Sequence, residues 1–258
     1  MSYILKKSLG QHFLKDENVC KQIISELFSH SFNNLLEVGP GGGALTKYLV
    51  RNKDINFKAV ELDKEKITWL SNHIPGLEEK IISGSILDIA PPFEDQFAIV
   101  GNFPYNISSQ ILFKILDWKP QVQLMVGMFQ KEVAERVVAR HGSKTYGILS
   151  VLVQAFFETE YLFEVHENCF TPPPKVKSAV IRLIPKQEPA KFASEKAFFQ
   201  LVKTAFNQRR KMLRNSARGL FDPETLQDKI FEKRPEQLSV NDFADLSFRM
   251  AAFNQAGS

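Results

Sequence analysis

Between residues 34 and 130, short apolar runs rich in β-branched and aromatic side chains recur, with helix-like spacers between most of them. No other feature restricts the fold as much. The runs are Asn34 to Val38, Phe57 to Leu62, Lys80 to Ser83, Phe97 to Gly101 and Gln123 to Phe129. Strands that read as near-continuous apolar segments are buried on both faces. Their spacing leaves room for crossovers, so a parallel sheet with helices on both sides is predicted. Tyr161 to Val165 and Ser178 to Ile184 form a later, closely spaced pair. The pattern predicts an α/β fold with an open sheet of seven strands and an antiparallel edge.

Pro185-Lys186-Gln187-Glu188-Pro189 then breaks the pattern, which places a domain boundary there and divides the chain into residues 1–188 and 189–258. The second part reads as helices only: Ser194 to Leu220, Glu224 to Phe231 and Val240 to Phe253, interrupted at Asp222-Pro223 and Arg234-Pro235. Charge follows this division. The chain carries a net +4, made of +3 in residues 1–15, −3 in residues 16–190 and +4 in residues 191–258. Lys203, Arg209, Arg210, Lys211, Arg214 and Arg218 fall within sixteen residues that hold no acid. On one continuous helix, Lys203, Asn207, Arg210, Arg214 and Arg218 share a face opposite the apolar stripe Leu201, Ala205, Leu213, Ala217 and Leu220. That face is a candidate surface for nucleic-acid phosphates.

Other classes are disfavoured. The longest apolar stretches, such as Tyr146 to Phe157, fall short of the roughly 20 residues a bilayer needs, and the N-terminus lacks a signal core, so a cytoplasmic protein without membrane contact is expected. Cys20 and Cys169 have no metal-ligand or disulfide-framework spacing. Neither zinc nor any other metal is expected.

Two turns carry candidate chemistry. In Glu37-Val38-Gly39-Pro40-Gly41-Gly42-Gly43-Ala44 a strand runs into a glycine-rich turn and then a helix, the arrangement in which backbone approaches a ligand closely. Glu61 follows Gly39 by 22 residues at the end of the next strand, where a carboxylate bonds both hydroxyls of a ribose. The turn lacks the Gly-Lys-Ser/Thr ending of a phosphate loop, which argues against ATP and GTP. Taken alone, it suits a nicotinamide dinucleotide as well as another nucleoside cofactor. The second turn, Asn102-Phe103-Pro104-Tyr105, follows the fourth predicted strand. An Asn side-chain oxygen and a nearby backbone carbonyl can accept both hydrogens of a ring amine while Tyr105 stacks on the ring. That is equipment for an adenine rather than for hydride transfer.

Seven blocks in order along nearly the whole chain resemble the ribosomal RNA adenine dimethyltransferases of the small-subunit (KsgA/RsmA) type. They are Gly10-Gln11-His12-Phe13-Leu14, Glu37-Val38-Gly39-Pro40-Gly41, Val60-Glu61-Leu62-Asp63, Gly101 to Ser108, Phe129 to Val133, Phe170 to Val176 and Phe206 to Lys211. The resemblance implies a class I, Rossmann-like methyltransferase sheet with a small C-terminal helical domain. It also implies S-adenosylmethionine as cofactor, and dimethylation of two adjacent adenines near the 3′ end of 16S rRNA in the 30S subunit or its precursor. Carried over by position, His12, Leu14, Gly39 and Gly41 contact the cofactor, Glu61 its ribose, and Asn102 its reactive end. Asn102 and the Pro104 carbonyl hold the target amine, and Tyr105 and Phe170 sandwich the base once it flips out. Ser85 stands where the family usually has an Asp beside the cofactor's adenine, with Asp88 as a fallback, and His12 replaces an Asn of many relatives. The RNA is left to the cations from Lys203 to Arg218, and a monomer is expected. Two alternatives share these motifs: a 23S rRNA adenine methylase of the macrolide-resistance type, and a non-catalytic assembly or nucleic-acid-binding factor of the same fold. The block at Phe206 to Lys211 and the triple proline speak against the first, and the retained Gly39, Glu61, Asn102 and Tyr105 against the second.

Overall fold

The computed structural model describes residues 12–256, with side chains to residue 250, so Gly10, Gln11, Lys6 and Lys7 lie outside it. Its strands are β1 (Phe13–Leu14), β2 (Asn34–Val38), β3 (Asn56–Glu61), β4 (Ile81–Ser83), β5 (Phe97–Asn102), β6 (Val122–Gln130), β7 (Phe157–Val165), β8 (Phe170–Thr171) and β9 (Ser178–Pro185). Seven of them form one sheet in the order β4-β3-β2-β5-β6-β9-β7. The five from β2 to β6 are parallel, and β9 runs antiparallel to β6. This is the sheet expected from the apolar runs, with β9 inserted inside the edge strand β7. β1 and β8 pair separately as a two-stranded ribbon.

Helices α1 (Glu17–Phe28), α2 (Thr46–Leu49), α3 (Lys64–His73), α4 (Ser108–Asp117) and α5 (Lys131–Val138) fill the connections. α1 starts because the Asp16 carboxylate accepts from the amides of Asn18 and Val19, and it buries Cys20, Ile23 and Leu27 at spacings of three and four. α3 begins in the same way on Asp63. One core joins Ile23 and Leu27 of α1 to Leu35, Phe57, Val100, Leu124 and Val126 of the sheet.

Contacts divide the chain into two compact units: residues up to Ala134 with Thr159–Pro185, and Glu135–Glu158 with the chain from Lys186 onward. The chain leaves the sheet unit within α5 and returns within β7. The second unit contains α6 (Ile148–Gln154), α7 (Glu195–Asn207), α8 (Leu213–Ser216) and α9 (Val240–Ala256). α6 buries Val151, Leu152 and Val153 and packs on α7 and α9. Two expectations fail here. The predicted helix from Ser194 to Leu220 stops at Asn207, turns through Gln208 to Met212, and resumes for only four residues. The segment from Glu224 to Phe231 is two 3-10 turns, Thr225–Gln227 and Lys229–Glu232, pinned by Asp222 and Asp228 side chains that accept from Thr225 and Ile230 amides. Among the described residues, no helix is long and apolar enough to cross a membrane.

Candidate active site

Parallel strands deliver their carboxyl ends to one cavity of about 230 Å³, where ligands of open α/β sheets bind. Gly39 and Gly41 enter its wall after β2, Glu61 at the end of β3, Ser85 after β4 and Asn102 at the end of β5, and His12 and Leu14 line it from the β1 segment. All seven predicted cofactor contacts therefore share one space. Gly41 has φ +58°, and a Cβ there would sit 3.2 Å from the Phe13 ring, so the turn accepts no side chain at the point where it passes under that ring. Glu61 is buried. Its Oε1 accepts from the Asp63 amide at 3.0 Å and its Oε2 from the Gly41 amide at 3.2 Å, with Lys66 Nζ 3.7 Å away. The carboxylate is held rigidly and keeps lone pairs for two further donors.

The Asn102 turn is oriented from outside itself. Asn102 Nδ2 donates to the His12 carbonyl at 3.1 Å, which leaves Oδ1 to accept. The His12 ring lies 5.5 Å from the Tyr105 ring and its Nδ1 is 2.8 Å from the Pro172 carbonyl. Tyr105 and Ser178 share a hydrogen bond between their hydroxyls, and burial pushes the Tyr105 phenol above its usual range. The Pro104 carbonyl does not match its predicted role. It already accepts from Ser108 Oγ at 3.1 Å and from the Ile107 amide at 3.3 Å. The carbonyl of Phe103, which also lines the cavity, has no such partner among the described residues. The Phe103 ring packs down over Gly101 and Gly127, whose added Cβ atoms would lie 2.9 and 2.1 Å from it. Two residues without side chains thus make the seat for the turn.

Glu37, on β2 just before the glycine turn, is a functional candidate that the motifs do not single out. It is fully buried in the cavity wall, Oε2 has no hydrogen-bond partner among the described residues, and desolvation pushes its carboxyl up to about 8, with Thr46 beside it acting in the opposite direction and Glu61 adding to the rise. An unpartnered buried oxygen in a cavity wall fits a ligand that brings a cationic or hydroxyl donor.

A family model for ribosomal RNA adenine dimethylases matches residues 4–251. The chain belongs to that family. Ribosomal RNA small subunit methyltransferase A of Flavobacterium johnsoniae is 53% identical over 96% of both chains, and that of Cytophaga hutchinsonii is 51% identical over 94% of this chain and 95% of its own. Among solved structures, a dimethyladenosine transferase from Plasmodium falciparum superposes with a TM-score of 0.78 at 27% identity, covering 95% of this chain and 98% of its own. A 23S rRNA methyltransferase, ErmE, gives 0.68 at 25% identity, covering 90% and 99%. The sheet is thus that of the class I methyltransferases, as the motifs implied.

Within this dimethylase-family chain, other predicted residues fall elsewhere. Phe170 is 1% exposed, belongs to the hydrophobic core and does not line the cavity; β8 holds it there against β1. Asp88 is exposed and also off the cavity. Ser85 lines it; its Oγ accepts from the Leu87 amide at 3.2 Å, which leaves its hydroxyl hydrogen and a second lone pair for a ligand. A cluster invisible in the sequence lies on the sheet unit: Glu164 is gripped by Lys131 and Lys177, whose hydrogen bonds pull its carboxyl down to about 2. The Lys131 amide also donates to the Lys177 carbonyl at 2.9 Å, tying the block at Phe129 to Val133 to the residue that follows the block at Phe170 to Val176.

The six predicted RNA-binding cations separate into two kinds once the helix breaks. Lys203, Arg210, Lys211 and Arg218 are exposed. Arg209 instead donates to the backbone carbonyls of Ser143 and Lys144, and Arg214 pairs with Glu232 at 2.9 Å. These two brace the helical unit, and the single basic helix face does not form.

Proposed function

We propose that the protein transfers methyl groups from S-adenosylmethionine to the exocyclic amines of two adjacent adenines near the 3′ end of 16S rRNA, within the small ribosomal subunit or its precursor. It would do so as a monomer in the cytoplasm, without a metal. The observation that carries this reading is the Asn102 amide, whose nitrogen is committed to the His12 carbonyl and whose oxygen is thereby left as an acceptor at the cavity wall. The family membership and the relatives named for the small subunit select the RNA over other amines.

The cavity fits the cofactor in two respects. The bare Gly41 backbone beneath Phe13 leaves room at the turn, and the orphaned Glu37 oxygen meets a donor-bearing amino-acid end. Glu61 would take the ribose hydroxyls, with Leu14 and Gly39 closing the walls and Ser85 donating to a ring nitrogen of the cofactor's adenine. When bound, the cofactor supplies a methyl group already activated by its sulfonium, so the protein's work is positioning and desolvation. Asn102 Oδ1 and the Phe103 carbonyl accept the two amine hydrogens of the target adenine, which turns the nitrogen lone pair out of conjugation and toward the donor. Tyr105 stacks on the flipped base, held in place by Ser178 and His12. After the first transfer one hydrogen is left, and either acceptor can hold it for the second.

Asn102→Ala should lower single-turnover methyl transfer to unmodified 30S particles by roughly 100-fold or more while cofactor affinity changes by no more than a few fold. Mapping the methylated base on 30S, 50S and free RNA completes the test. Label confined to 50S selects the resistance-type reading, and no label from the unaltered protein selects the binding factor.

A further inference from the structure

Lys66 is the one lysine or arginine among the described residues that line the cavity, and only 7% of it is exposed. It is the third residue of α3, and Asp63 fixes it relative to Glu61. The Asp63 side chain caps the first turn of α3 by accepting from the Glu65 amide at 3.0 Å, while the Asp63 amide donates to Glu61 Oε1 at 3.0 Å. The Lys66 ammonium then stands 3.7 Å from Glu61 Oε2 and 5.4 Å from the centre of the Phe13 ring. Phe13 in turn lies over the backbone of Gly41 and Gly42, and the Gly41 amide donates to the same Glu61 Oε2 at 3.2 Å. Ammonium, carboxylate, glycine turn and ring thus close a circuit around one corner of the cavity.

We propose that Lys66 is a positioning residue for the cofactor's ribose: it offsets the buried charge of Glu61 without using that carboxylate's lone pairs, and it keeps the Phe13 ring over the glycine turn. The assignment of the ribose to Glu61 rests on the S-adenosylmethionine reading above. A separation of 3.7 Å is beyond hydrogen-bonding range, so the ammonium consumes none of the acceptor capacity that two ribose hydroxyls need. It still reduces the cost of keeping an ionised carboxylate out of water. The need is greater because Glu37, the other buried acid of the wall, is near enough for the charge of Glu61 to help push its carboxyl up. An exposed pair at this distance would contribute little, whereas a buried one is sensitive to the loss of either member.

The test is Lys66→Met, which keeps the aliphatic stem and removes the charge, with Lys66→Gln as the second variant should the first be poorly folded. Calorimetry measures the binding of S-adenosylmethionine and of S-adenosylhomocysteine to the unaltered protein, to Lys66→Met, to Glu61→Gln and to the double variant, with a thermal melt of each. Lys66→Met should weaken both ligands by about tenfold and to the same degree, because they share the ribose and differ only in the methyl group and the positive charge on sulfur. In the Glu61→Gln background the same change should cost no more than about twofold, since the ammonium then has no carboxylate to serve. With 30S particles as substrate, the loss should appear in KM for the cofactor, with kcat reduced by no more than about threefold. A lysine that only supports the fold would lower the melting temperature and leave both affinities of the folded protein unchanged, and that result would overturn the proposal. So would equal losses in both backgrounds, or a loss confined to S-adenosylmethionine. Coupled loss of binding in a protein that methylates no ribosomal RNA would refute the methylation reading alone. Absence of binding of either ligand by the unaltered protein would refute both.

Discussion

The cavity at the strand ends and the basic face of the helical unit carry charge in opposite ways. In the cavity, Glu37 and Glu61 are buried acids whose neighbours fix each oxygen or leave one open toward a ligand. On the helical unit, Lys203, Arg210, Lys211 and Arg218 are exposed, while Arg209 and Arg214 pair with Glu236 and Glu232. A buried site depends on a few atoms held within tenths of an ångström. A phosphate-binding surface depends on the number and sign of its charges, with each contributing a modest, salt-sensitive share. Single substitutions should therefore act abruptly in the first region and by degrees in the second.

The largest effect is expected far from any titrating group, at Gly127→Ala. The new methyl would lie 2.1 Å from the Phe103 ring and 2.7 Å from Met125 Sδ, so Phe103 must lift and carry the Asn102–Tyr105 turn with it. Stability should fall by about 1–3 kcal/mol. Methyl transfer should fall by on the order of 100-fold, because a shift of about 1 Å spoils the alignment of the amine. A stopped-time assay and a thermal melt give both numbers, and activity within twofold of the unaltered protein would mean the turn is not seated by that ring.

This substitution also shows where the sequence was readable. Gly39, Glu61 and Asn102 lie in contiguous motifs at strand ends, and local pattern alone brings them to one cavity. The parallel sheet was legible for the same reason, since each buried strand is one short apolar run. The contact of Phe103 with Gly127 joins two strands by register, and nothing local announces it. Phe170 misleads in the reverse direction: its motif belongs with the site, yet pairing of β8 with β1 turns its ring into the core. The helix from Ser194 to Leu220 was over-read because Arg, Lys, Met and Leu all favour helix. The guanidinium of Arg209 bonding to carbonyls 65 and 66 residues away competes with that propensity and wins.

A second way to sharpen the contrast is pH. The Glu37 carboxyl is pushed up to about 8 in the fold by burial, against an ordinary value of 4.5. Between those values the unfolded chain has released the proton and the folded one still holds it, so stability falls as pH rises through this window and the loss is complete above about 8. Glu37→Gln removes the titration. Its melting temperature should match or lie below that of the unaltered protein at about pH 4.5 and exceed it by on the order of 5 °C at about pH 8.5. Parallel melting curves across that range would show that the carboxyl is not held in a desolvated state. No exposed cation of the helical unit should give a comparable pH window.

The smallest effect tests the brace. Arg209 was grouped with its neighbours as an RNA contact, but its guanidinium points inward to the Ser143 and Lys144 carbonyls, with Glu236 3.9 Å away and its side chain still 39% exposed. Partial exposure screens the ion pair, so most of its contribution comes from the two carbonyl bonds. Arg209→Met should cost about 1 kcal/mol of stability and loosen the loop 139–147, which faster amide exchange in that loop would reveal. Arg210→Met, one residue on and exposed, should leave melting unchanged and lower RNA affinity only a few fold. Equal melting temperatures for the two variants would return Arg209 to the surface. A difference between them would show that one cation of this run acts through packing and the next through its field, although they are adjacent in sequence and identical in type.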